Sequence, residues 1–92
     1  MTSEYRRLAG ELRTDAPKLD LHGRFDHEIE TKIDQFLYEH FNNNELSVEI
    51  VYGIGKGVLS KATREFLKDH PLVEKVIDKG GSCVVILSEK NI

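Results

Sequence analysis

Two clusters in the chain hold residues able to do chemistry. Asp20 and His22 lie in Lys18-Leu19-Asp20-Leu21-His22-Gly23, where Leu19 and Leu21 alternate with polar positions, so on a strand both polar side chains leave the same face. An imidazole near neutrality can take a proton from water or give one to a leaving oxygen. A carboxylate beside it can orient the ring or hold a divalent cation such as magnesium or manganese. The same pair has a structural reading, in which Asp20 caps the turn at Gly23 and His22 bonds a nearby backbone group. The pattern leaves both open, and leaves metal dependence unassigned.

The second cluster is Gly53-Ile54-Gly55-Lys56-Gly57, directly after a β-branched run and directly before an amphipathic segment. Glycines at alternate positions let the backbone take positive φ and approach a ligand closely, and the first turn of the following helix presents free N–H groups. Such a loop suits phosphate. Behind it, Lys61, Arg64 and Lys68 fall within about 60° of one another on a helical wheel of roughly 100° per residue. Lys56 adds a further cation in the loop itself. A solvated helix face is the bland alternative for the stripe; the adjoining loop favours a phosphate backbone. The spacing is not the Gly-x-Gly-x-x-Gly of a dinucleotide fold, and no Gly-Lys-Ser or Gly-Lys-Thr occurs to make a Walker loop. Tyr52, just before the loop, can either stack on a base or pack its ring on the core.

The elements that must position these groups follow from periodicity. Ser3 to Arg13, with Tyr5, Leu8, Ala9 and Leu12 at helical spacing, reads as a short amphipathic helix, and Thr14 to Pro17 as a connector. Lys18 to His22 is a strand. Asp26 can cap a helix carrying Ile29, Ile33, Phe36, Leu37 and Phe41, stopped by Asn42 to Asn44. Leu46 to Tyr52 is a second strand. Val58, Leu59, Ala62, Phe66 and Leu67 mark the apolar face of another helix, ended by Pro71. Val73 to Ile77 and Ser82 to Leu87 are strands joined at Gly80-Gly81. The expected fold is an α/β two-layer sandwich, a βαβαββ core with a mixed four-stranded sheet, preceded by an N-terminal helix. Residues 1–17 form the helix and connector and residues 18–92 the domain. Two core helices cover one sheet face, and unless the first helix, Ser3 to Arg13, covers the other, that face stays partly open to a partner. His27, His40, His70, Tyr5 and Tyr38 gain no site from the pattern.

Composition narrows the function classes. With 92 residues there is room for one core, and 39% hydrophobic against 32% charged residues is a globular balance. Thirteen Lys and Arg against sixteen Asp and Glu give a net charge of -3, which argues against a generally basic binder. From Gly53 to Lys68, however, four basic residues face the single acid Glu65, so the positive charge is local. The longest apolar run, Cys83 to Leu87, is far below the roughly 20 residues a membrane helix needs. The single cysteine reads as a buried strand residue in a reducing compartment, so the expected location is cytoplasmic.

Leu19-Asp20-Leu21-His22-Gly23, the glycine loop with Val58-Leu59 after it, and His70-Pro71-Leu72-Val73 stand in an order and spacing that resembles the small MutS-related (Smr) domain family, over Leu19 to about Leu87. The resemblance implies a βαβαββ sandwich that binds DNA or RNA and, in several members, acts as an endonuclease on the phosphodiester backbone. DNA repair or recombination, or RNA and ribosome quality control, are the settings it implies, with nucleic acid, and ribosome or repair proteins, as partners. The chain resembles the standalone members. It departs from them where the family commonly places a histidine before the loop, a threonine between the second and third glycines, and an arginine after the leucine. This chain has Tyr52, Lys56 and Ser60. On those grounds Asp20 and His22 are the expected catalytic pair, and Gly53, Gly55, Lys56, Gly57, Lys61, Arg64 and Tyr52 the expected phosphate and nucleic-acid contacts. A non-catalytic binding module of the same fold is the alternative.

Overall fold

The computed structural model describes residues 8–9, 15–24, 27–55 and 57–89. Its elements are β1 (Lys18–Asp20), α1 (Ile29–Asn42), β2 (Ser47–Val51), α2 (Val58–Lys68), β3 (Val73–Asp78) and β4 (Ser82–Leu87), the mixed α/β arrangement expected from periodicity. Of the N-terminal helix only Leu8 and Ala9 are described, as helical; the rest of that expectation lies outside the described residues, as do Asp26 and Lys56.

The sheet order is β1-β2-β4-β3. β1 pairs parallel to β2, with Asp20 opposite Val51, while β4 pairs antiparallel to both β2 and β3. The terminal hairpin therefore folds β4 back into the middle of the sheet, between β2 and β3. A right-handed crossover after β1 and another after β2, both progressing the same way across the sheet, must put both helices on one face. One core results: Ile33 and Leu37 of α1 and Leu59 and Leu67 of α2 pack with Leu21, Val48, Ile50, Cys83, Val85 and Leu87. Fully burying a Leu or Ile contributes about 1.5–3 kcal/mol, and this set is 0–7% exposed. Burial also pushes the Cys83 thiol up to about 12, so it behaves as a small hydrophobe.

Two expectations change. β1 stops at Asp20 rather than His22, because the Asp20 carboxylate accepts the His22 N–H at 2.9 Å and Arg24 N–H turns back to the Leu21 carbonyl at 2.9 Å. On α2 the core line runs Leu59, Thr63, Leu67; Ala62 is exposed, since it lies one residue, roughly 100°, off that line. The sheet face away from the helices, left either open or covered by the sequence reading, is closed at its centre. Residues alternate in strands, so Ser47, Val84 and Ile86 lie opposite the core set, yet they are 0%, 9% and 1% exposed. On that face Glu49 accepts the Ser82 hydroxyl at 2.8 Å and lies 3.9 Å from the Lys18 ammonium.

Candidate nucleic-acid interface

Parallel pairing of β1 with β2 brings their carboxyl ends to one edge of the sheet, the edge where open α/β sheets hold ligands. The turn after β1 carries His22, and the glycine loop follows β2 at once. They touch at Gly53. Its φ is +84°, and a Cβ built there would run into the His22 ring, whose Nε2 and Cγ stand 3.2 and 3.3 Å from that position. Glycine is needed at this position both for the backbone angle and to leave room for the imidazole. His22 is exposed and its ring makes no hydrogen bond among the described residues, so both nitrogens can meet a ligand. Asp20 is also exposed, but one of its oxygens is already held by the His22 amide. The carboxylate thus fixes the turn that presents the ring, which is the structural role open in the sequence.

The other glycines differ. Gly55 has nothing within 4 Å of a Cβ position and no positive φ, while Gly57 has φ +81°. Gly57 is the N-cap of α2, where no side chain caps the helix and no acid stands in the first turn. The Ser60 hydroxyl donates to the Gly57 carbonyl at 3.0 Å and fastens the loop to the helix. A cavity of about 390 Å3 opens here, lined among others by His22, Gly53, Ile54, Gly55, Val58 and Ser60.

The hairpin between β3 and β4 sets the loop from below, a role the Gly80-Gly81 turn signal did not reveal. The Gly81 carbonyl accepts the N–H groups of Tyr52 and Gly53 at 3.0 and 2.8 Å. Tyr52 lies in the core cluster, 3% exposed, so its ring packs rather than standing free to stack on a base. Its single hydroxyl proton is shared between the Asp78 carboxylate at 3.0 Å and the Ser82 carbonyl at 3.1 Å, and burial with the Asp78 bond raises its pKa well above the ordinary phenol range. Asp78 also accepts the Gly80 N–H at 3.0 Å and faces Arg64 at 3.3 Å; the Gly80 and Tyr52 bonds lower its pKa. Asp78 escaped the sequence reading, although Asp78-Lys79-Gly80 has the spacing of a side chain closing its own turn.

The basic stripe divides accordingly. Arg64 is engaged by Asp78 and by the Ser60 carbonyl at 3.3 Å. Lys61 and Lys68 are exposed, with no side-chain partner among the described residues. Among those residues no group of three His, Cys, Asp or Glu side chains gathers. No helix among the described residues is long and apolar enough to cross a membrane.

The family model of the Smr domain matches residues 19–88. The chain belongs to the Smr domain family. It is 35% identical over 66 residues to Endonuclease MutS2 of Halalkalibacterium halodurans, covering 72% of this chain and 8% of that protein. Against Endonuclease MutS2 of Helicobacter pylori it is 38% identical over 74 residues, 76% of this chain and 10% of the relative. The chain thus spans a tenth or less of the length of these relatives. The crystal structure of the Smr domain of Thermus thermophilus MutS2 superimposes with a TM-score of 0.74 at 29% identity, covering 79% of this chain and 99% of that one. The Smr match begins at the first residue of Leu19-Asp20-Leu21-His22-Gly23 and takes in β2, the glycine loop and the terminal hairpin.

Proposed function

We propose that this Smr domain binds DNA or RNA at the glycine-loop edge and hydrolyses its phosphodiester bonds, as the name of its MutS2 relatives suggests for those proteins. The observation that carries the reading is the seating of the His22 ring over Gly53, which brings an imidazole and a glycine loop to one cavity. In this reading the backbone of Gly55 and Gly57 and the first turn of α2 receive a phosphate, while Lys61 and Lys68 contribute long-range charge. Water attacks phosphorus as the P–O bond to the leaving oxygen breaks, and His22 takes the proton from that water or gives one to the leaving oxygen. Asp20 holds the turn and would supply one carboxylate to a divalent cation, which would neutralise charge on the phosphate. Lys56, in the middle of the loop, is expected to add a contact.

A second reading, a binding module without cleavage, is favoured by Tyr52. A phenol with its hydroxyl tied to Asp78 offers no proton near neutrality. Assaying wild type and His22→Ala on single-stranded, branched and structured DNA and RNA, with and without magnesium or manganese, separates the two. An endonuclease loses cleavage about a hundredfold or more in His22→Ala, with affinity within about threefold because phosphate contacts carry the binding. Wild type that binds but cuts nothing is the module.

A further inference from the structure

The glycine loop has an apolar side that phosphate binding leaves unused. Ile54 is 91% exposed and Val58 63%, two of the four exposed large hydrophobics among the described residues. Both line the cavity that His22 enters. The loop presents Ile54 through specific geometry: Gly53 turns the chain with φ +84°, and Gly81 lacks a Cβ where Ile54 Cγ1 would stand 3.3 Å away. A ligand filling this space meets apolar groups, Ile54 and Val58, and polar ones, the His22 imidazole and the glycine-loop backbone. A nucleotide has that division, with an apolar base face attached to an anionic phosphate.

We infer that Ile54, supported by Val58, is the base contact of this interface, and that it selects an unstacked base. The inference rests on the nucleic-acid reading above. Within a continuous duplex each base face is covered by its neighbours, and only a bulge, a loop or a strand end exposes one. Aromatic side chains commonly supply the platform for such a base. Here the phenol lining the cavity, Tyr52, is buried with its hydroxyl bonded, and the His22 imidazole is assigned to the phosphate in the reading above, so the aliphatic tip takes that position.

The test compares two RNA or DNA hairpins of equal length, one fully paired and one with a single bulged base replaced by 2-aminopurine, by anisotropy and by the fluorescence of the reporter base. Ile54→Ser is expected to lose about tenfold in affinity for the bulged probe and less than twofold for the paired one, with an unchanged melting temperature because the side chain is exposed. Val58→Ser should lose less. Ile54→Lys should tighten both probes and bring their ratio close to one. Equal losses on the two hairpins, or no loss on the bulge, would overturn the inference while leaving nucleic-acid binding in place. Wild type that binds neither probe would overturn the nucleic-acid reading itself and this inference with it.

Discussion

His22 and His70 each stand in a short motif of the chain, and the fold uses them in opposite ways. His22 is exposed at the carboxyl edge of β1 and β2, with its ring over Gly53 and no ring hydrogen bond among the described residues. The His70 side chain is 4% exposed. Leu72 N–H donates to its Nδ1 at 3.1 Å, so the proton must be on Nε2, which donates to Asp34 at 2.7 Å. Its ring also meets Tyr38 and Phe66 edge-on, with centroids 5.9 and 5.6 Å apart. His70 therefore fastens the end of α2 to α1, whereas His22 keeps both nitrogens available. An imidazole with both nitrogens occupied holds a fold together; one with both free can work on a ligand.

The largest expected effect tests this contrast through stability. His70→Ala should cost about 3 kcal/mol in denaturant unfolding, since it leaves Leu72 N–H without its acceptor and removes a hydrogen bond to a carboxylate. Asp34→Asn should cost about 1 kcal/mol, because the amide oxygen still accepts. His22→Ala should leave the unfolding midpoint within experimental error. A His22 variant as unstable as His70→Ala would erase the distinction.

The glycines give a smaller and sharper comparison. Gly53→Ala places a methyl against the His22 ring and an L-residue at φ +84°, a conformation that costs roughly 1–2 kcal/mol. It should lower the melting temperature and displace the imidazole, which histidine chemical shifts in NMR would report. Gly55→Ala meets open space, so stability should hold while affinity for nucleic acid falls about tenfold if a phosphate needs that surface. Unchanged affinity in Gly55→Ala would limit the loop to a structural role.

The smallest effect lies in the cations. Lys61→Ala should reduce the slope of log affinity against log salt by roughly 1. Arg64→Ala should reduce it less, because Asp78 already balances the guanidinium at 3.3 Å. Anisotropy titrations across salt concentrations measure both, and equal slope changes would mean that phosphate displaces Asp78 from Arg64.

The sequence by itself determined the order of elements, the mixed sheet and the membership of the fold, because strand alternation, helical spacing and turn glycines are local signals. It also brought Asp20, His22 and the glycine loop to one edge, since two βα units force β1 and β2 parallel. Tertiary structure alone decided which contacts those groups make. Gly53 is shaped by His22, thirty-one positions away, and Tyr52 is drawn into the core by a hydroxyl bond to Asp78 in another strand. Arg64 shares that carboxylate, and His70 becomes a latch through Asp34. Each of these pairings joins residues from separate elements whose side chains meet only after the hairpin has inserted β4 between β2 and β3 and the two helices have settled on one face. Periodicity fixes which face a residue occupies; which partner it meets there depends on strand order and packing across the sheet.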